Sequence, residues 1–313
     1  MLGGTRGPRL DRASLWREIV RHKFFYVMLL PVVVWFIIFC YIPMYGVLAA
    51  FQNYVMSRGI FGSEWVGLKH FEKLWADKLF WRAFKNSCIL ASYRVLIEFP
   101  IPIIMAVLIN EMRRSSTRKI AQTVLFLPHF LSWITVASIL ITFINPDKGL
   151  VTAIAKGLFG VAVPPNLITN GTFRGLLVVS NLWKEAGWGM IIYLAAMSGV
   201  DANLYEAAWV DGANRFRRTW HITLPSVRGV IAISLILMIG GVLNTGFDQV
   251  FVLSNKLVME TADTIDYYVY RIVMTNFDMS YAAAIGLFNS LICIVLMLTA
   301  NALGRALDSS SIF

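Results

Sequence analysis

The sequence predicts an all-α membrane protein with six transmembrane helices. Three observations carry that expectation. Hydrophobic residues make up 58% of 313 positions and charged residues only 15%, with a mean hydropathy of +0.65. A water-facing surface on a chain of this length needs far more charge. Several apolar runs reach the roughly 20 residues needed to cross the hydrocarbon core of a bilayer. Basic residues also concentrate in alternate connections, as expected when one side of the membrane retains them.

Taken in order, residues 1–23 form a basic cytoplasmic tail carrying Arg6, Arg9, Arg12, Arg17, Arg21 and Lys23. The run from Phe24 to about Leu48 is too long for a signal-peptide core and is expected to remain as the first span. Further spans are expected at Phe84–Asn110, Ile120–Ile144, Gly175–Gly199, Gly229–Leu253 and Ser280–Leu303. The permease domain is therefore expected over 24–303, with a cytoplasmic C-terminal tail at 304–313. Arg113, Arg114, Arg118 and Lys119 follow the second span, while Arg215, Arg217, Arg218 and Arg228 follow the fourth. The 145–173 connection holds only Lys148 and Lys156, and the 254–279 connection only Lys256 and Arg271. The long 49–83 segment has five basic residues, but also Glu64, Glu72 and Asp77 and length enough to dilute the rule, so both termini are expected in the cytoplasm.

The net charge of +10 follows the loops rather than one face, which argues against a nucleic-acid partner. Cys40, Cys88 and Cys293 fall within the expected spans without metal-ligand spacing, and read as small apolar groups. His22, His70, His129 and His221 are scattered and form no catalytic pairing. The sequence contains no G-x-x-x-x-G-K-[ST] run with which to cradle nucleotide phosphates.

The connection after the fourth span is the most informative segment. Asn203 and Glu206 have capping-box spacing for a short helix. Ala207 and Ala208 permit close approach by another surface. Gly212 suits the end of that helix, Asn214 the cap of a second, and Pro225 its close before the fifth span. The expected product is a helix–turn–helix at the cytoplasmic membrane face.

Glu206-Ala207-Ala208, then Gly212 after three further residues, then Ile222-x-Leu224-Pro225, resembles the EAA loop of ABC-importer permeases. The resemblance implies a type I ABC importer permease fold with a cytoplasmic coupling helix and a peripheral first span. It implies ATPase-coupling roles for Glu206, Ala207, Ala208, Asp211, Gly212, Ala213, Leu224 and Pro225. No cofactor is expected in this chain; ATP and Mg are expected on partner ATPase subunits. The other implied partners are a second homologous permease, two ABC ATPase domains, an extracellular substrate-binding lipoprotein and the lipid bilayer. Leu127-Pro128-His129-Phe130-Leu131-Ser132-Trp133 and Ala284-Ile285-Gly286-Leu287-Phe288-Asn289-Ser290 are similar to one branch of that family, the permeases for complex carbohydrates of Gram-positive bacteria. That likeness implies an oligosaccharide substrate.

Within the spans, Arg94 and Glu98 lie one helical turn apart and are expected to pair. Asn181, Lys184, Glu185 and Trp188 fall on one stripe of the fourth span. Asn244, Thr245 and Asp248 recur at similar spacing on the expected fifth span. Aromatic faces, amides and carboxylates are the groups that meet sugar rings and hydroxyls, so these seven residues are candidates for the substrate pathway. They serve equally as interhelical hydrogen-bonding groups. An ion-coupled secondary transporter, with Arg94/Glu98 or Lys184/Glu185 as relay groups, is the alternative from another class.

Overall fold

Apolar runs interrupted by proline set the shape of the bundle. The computed structural model describes residues 20–145, 148–160 and 168–306; most of the basic N-terminal tail and the end of the C-terminal tail lie outside them. By length and apolarity, four helices qualify as membrane spans: Lys23–Phe51, Lys78–Asn110, Arg215–Gly240 and Met279–Arg305. A fifth arises if the bent pair Ser115–Phe130 and Trp133–Phe143 counts as one span. The helix expected as the fourth span, Phe173–Ser198, is 26 residues long. Its polar stripe, not its length, sets it apart from the others.

Three prolines share one local solution. A π-turn closes at Ile37–Tyr41, Arg94–Glu98 and Thr219–Thr223, in each case two residues before a proline: Pro43, Pro100 and Pro225. A proline ring would otherwise meet the carbonyl four residues back and leave one ladder bond unmade. The wider i→i+5 turn relieves that contact, as in the bond from the Phe99 amide to the Arg94 carbonyl at 2.8 Å. Pro225 therefore does not close the second short helix, contrary to the sequence expectation. Residues 215–240 run on through the π-turn into the fifth span.

Two further expectations are corrected. Ile120–Ile144 is not one straight helix: the segment bends by 101° between Phe130 and Trp133. Leu131 turns extended there, and the Ser132 side chain accepts the Thr135 amide to start the next helix. The fifth span ends at Gly240 rather than Leu253. A turn over Gly241–Gly246 follows, and Phe247–Leu253 is a separate short helix. Gly246 adopts φ +78° there, a conformation that favours glycine.

Packing is layered along the bundle. One buried cluster joins Phe80, Ile265, Tyr268, Tyr281 and Ile285; another, nearer the basic loops, joins Ala106, Ile109, Met190, Tyr193 and Val227. Along Lys23–Phe36 the first span buries no residue. It meets the bundle only near its end, where Ala49 and Ala50 are buried. A two-residue hairpin pairs Gln52 with Trp65 and Asn53 with Glu64. Cys40, Cys88 and Cys293 are free thiols within the helices.

Candidate translocation and coupling sites

The loop between the fourth and fifth helices folds by local capping. Helix Ala202–Val210 starts at Asp201, whose side chain accepts the Asn203 amide at 3.0 Å. The cap is thus Asp201, two residues before the expected Asn203, because its extended backbone aims the carboxylate at the open amides. At the other end Gly212 takes φ +74°. The Gly212 amide reaches the Trp209 carbonyl at 3.0 Å, and the Ala213 amide reaches the Ala208 carbonyl at 2.9 Å. This pair of bonds is the Schellman closure, which leaves no slack at the helix end. Asn214 then caps Arg215–Arg218 by accepting the Arg217 amide, as expected.

The lever made this way is tied to its surroundings at few points. Tyr205 and Thr223 share a hydrogen bond at 3.0 Å. Thr219 donates to the Glu111 carboxylate at 3.3 Å, fixing the start of the fifth span to the end of the second. Helix Ala202–Val210 itself buries nothing. Trp209 is 74% exposed and Val210 87%. Glu206, Ala207, Asp211 and Gly212 are also exposed, while Ala208, Ala213 and Leu224 are half-buried and Pro225 exposed. An apolar, capped, unburied helix at the end of a bundle is a surface that fits a partner.

Within the bundle, the fourth helix organises two polar groups. The first lies at the break in the third span. The His129 imidazole donates from Nδ1 to Glu185 Oε2 at 2.7 Å. Lys184 Nζ donates to Glu185 Oε1 at 2.6 Å and to the His129 carbonyl at 3.0 Å. Trp188 stacks face to face on His129, with ring centroids 4.4 Å apart and 6° between planes. Lys184 also lies over Trp133, 5.3 Å from the ring centroid. Lys184 is 6% exposed, whereas Trp188 is 49% exposed. Gly187 makes the crossing possible, since a Cβ there would lie 1.9 Å from the Leu125 carbonyl oxygen.

The second group centres on the π-turn of the second span. Arg94 Nε lies 3.7 Å from Glu98, the pairing expected from sequence. Asn181 donates to Glu98 at 2.7 Å. Arg94 also donates to the Asn244 carbonyl at 2.6 Å, which ties the second span to the turn after the fifth. Asn289 donates to the Asn244 side chain at 3.3 Å, and the Thr245 amide donates to Asp266 at 3.0 Å. Gln249 reaches the Leu177 carbonyl and Ser180 at 2.7 and 2.8 Å.

The stripe on the fourth helix is therefore present, and Asn181, Lys184, Glu185 and Trp188 all take part in these groups. Asn244, Thr245 and Asp248 do not form a stripe on the fifth span. Asn244 and Thr245 occupy the turn beyond it, and Asp248 is exposed in the first turn of Phe247–Leu253. His129 and Arg94 hold more of the polar architecture than the sequence indicated. His129 reads locally as a packing residue after Pro128, and only its contacts with Glu185 and Trp188, more than 50 positions away, mark it as part of a site.

Known proteins resemble this chain in sequence and in fold. The family of binding-protein-dependent transport system inner membrane components matches residues 98–310. The protein LplB of Bacillus subtilis (strain 168) is 42% identical over 300 residues, 96% of this chain and 94% of that protein. The polygalacturonan/rhamnogalacturonan transport system permease protein YteP of the same strain is 40% identical over 302 residues, again 96% and 94%. Among solved structures, a bacterial alginate ABC transporter in complex with an alginate pentasaccharide-bound periplasmic protein matches with a TM-score of 0.87. The identity is 37%, covering 95% of this chain and 99% of that one. These likenesses lend no support to an ion-coupled carrier. The chain belongs to the family of binding-protein-dependent transport system inner membrane components, the membrane-embedded permeases of ABC importers.

Proposed function

We propose that the chain is the permease subunit of an ATP-driven oligosaccharide importer, forming half of the translocation pathway and coupling it to a separate ATPase. One observation carries this reading: the Ala202–Val210 helix, closed at both ends by caps, links the two helices that flank the polar groups of the bundle. A closing groove on an ATPase would move it as a unit. Glu206, Ala207, Ala208 and Asp211 offer the contact surface, Gly212 and Ala213 the closure, and Leu224 and Pro225 the entry into the fifth span.

Asn181, Lys184, Glu185, Trp188, Asn244, Thr245 and Asp248, joined by His129, line the sugar pathway. A second, homologous permease supplies the other wall. Two ABC ATPase domains bind ATP and Mg, and an extracellular lipoprotein delivers the sugar. All six spans cross the bilayer over residues 24–303, with tails 1–23 and 304–313 in the cytoplasm. The oligosaccharide class rests on the polygalacturonan/rhamnogalacturonan permease and the alginate transporter that the chain resembles.

The test is transport by proteoliposomes holding the complete complex and its binding protein. Uptake that requires internal ATP and the binding protein, with no hydrolysis by this chain alone, is expected. Uptake driven by an ion gradient without ATP overturns the reading.

A further inference from the structure

Three arginines from separate elements meet at the end of the bundle opposite the coupling helix. Arg82 sits near the start of the second span, Arg174 near the start of helix Phe173–Ser198, and Arg271 at the end of helix Ile265–Arg271. Their acceptors are few. The Asp263 side chain, fully buried, takes Arg82 at 2.8 Å and the Nη2 of Arg271 at 2.9 and 2.7 Å. Arg174 donates to the Asn86 side-chain oxygen at 2.8 Å and has no carboxylate partner among the described residues. Asn86 turns its own amide to the carbonyls of Glu260 and Asp263, at 2.7 and 3.0 Å. Glu260, the other acidic group nearby, is approached by Asn170 at 3.4 Å.

The cluster thus holds three guanidiniums against two carboxylates. Among the described residues, the Nε of each arginine is buried without an acceptor. Those Nε atoms are closed to an incoming group, so a carboxylate would be met by the Nη edge of a guanidinium. Arg82 and Arg271 keep about a third of their side-chain surface open. Elsewhere in the bundle the balance differs: Glu98 is engaged by Arg94 and Asn181, and Glu185 by Lys184 and His129. Of these three polar groups, only this one holds more arginine and lysine side chains than carboxylates among the described residues.

We infer that Arg174, with Arg82 and Arg271, forms a carboxylate-receiving site at the outer mouth of the pathway, and that the transported oligosaccharide carries uronic-acid units. The inference rests on the oligosaccharide reading and the orientation given above. Arg82 and Arg271 are already committed to Asp263, so Arg174 makes the primary contact. The other two set the local positive potential that draws an anionic sugar from its carrier.

The experiment compares trigalacturonate with its fully methyl-esterified form, which keeps the rings and loses the charge. Uptake of each is measured in proteoliposomes of the complete complex, for the native chain and for Arg174→Gln and Arg174→Lys. The native complex is expected to take up the acid. Arg174→Gln should lower acid uptake about tenfold relative to the ester, the loss of one charge-assisted contact, and Arg174→Lys should restore part of that ratio. A purely structural role would depress both sugars alike and leave the ratio unchanged, which overturns the inference. Uptake of a neutral trisaccharide such as xylotriose with neither galacturonate also overturns it, while leaving the oligosaccharide reading intact. Uptake of no oligosaccharide at all defeats both.

Discussion

His129 and Glu185 meet at 2.7 Å across the break in the third span, through an edge of the imidazole whose face Trp188 covers. The contact joins a carboxylate held by Lys184 to an aromatic platform half open to its surroundings. His129→Ala would remove both the donor to Glu185 and the ring under Trp188. Uptake by the reconstituted complex should fall with assembly intact, by the equivalent of about 1–3 kcal/mol in sugar affinity. Trp188→Ala, which spares the ion pair, should cost about 0.5–1.5 kcal/mol. Unchanged uptake kinetics in both variants would leave this group a purely structural one.

Gly187 sets the distance at which the fourth helix crosses the third. A methyl group there would stand 1.9 Å from backbone, not from a side chain that could rotate away. Gly187→Ala should therefore destabilise the bundle by about 1–3 kcal/mol or more. Thermal unfolding in detergent checks this, with Gly286→Ala, where an added Cβ meets nothing within 4 Å, as the tolerant control. Equal melting of the two variants would contradict the close approach.

Asp77 ties the outer loop to the last span. Burial alone would raise its carboxyl, yet hydrogen bonds from Tyr268 and Tyr281, with the backbone amides of Leu79 and Phe80, hold it below the usual carboxylate range. A lowered folded-state value means stability present above the unfolded value and lost as pH falls through the folded one. Acidification below the ordinary carboxylate range should therefore loosen this end of the bundle. Asp77→Asn should lower the melting temperature at neutral pH and flatten its dependence on acid. A variant with the native acid profile would show that Asp77 carries none of it.

The loop between the fourth and fifth helices was largely legible in the sequence because its determinants are local. Gly212 and Asn214 act within a few residues of themselves, so spacing alone located the turn and the second cap. The first cap was misplaced by two residues, since Asp201 and Asn203 are both competent and only backbone geometry chooses between them. The breaks were harder to read. Val242 and Leu243 keep the chain apolar past Gly240, so hydropathy runs on where the helix stops. What fixes the stop is tertiary: Arg94 holds the Asn244 carbonyl from the second span. Likewise His129 lies in an apolar stretch, and its partners come from another helix. Pro128 stands just before the break, yet hydropathy carries through it, so the 101° bend was not legible in the expected span Ile120–Ile144.

The π-turns give a further prediction. Arg94 and Glu98 occupy the turn that relieves Pro100, so the proline and the ion pair are set together. Pro100→Ala removes the reason for the wider turn and should let the second span relax toward an ordinary helix. Uptake should fall more than thermal stability does, because the Arg94 contacts with Glu98 and Asn244 would shift register. Equal losses in both measurements would place the effect in packing alone.

The most direct measurement of the account is ATP hydrolysis by the reconstituted complex, with and without sugar-loaded binding protein, in Gly212→Pro and Glu206→Lys variants. Gly212 holds φ +74° and donates its amide to Trp209. Proline fixes φ near −65° and has no amide, so the helix end would open. Glu206 is exposed on the same helix and is not its cap, so lysine there reverses charge on the contact surface without disturbing the fold. Both variants should reach native membrane levels, bind the ATPase weakly and lose stimulation of hydrolysis by loaded binding protein. Full assembly with undiminished stimulation in both would contradict the assignment of this helix as the link between ATPase and pathway.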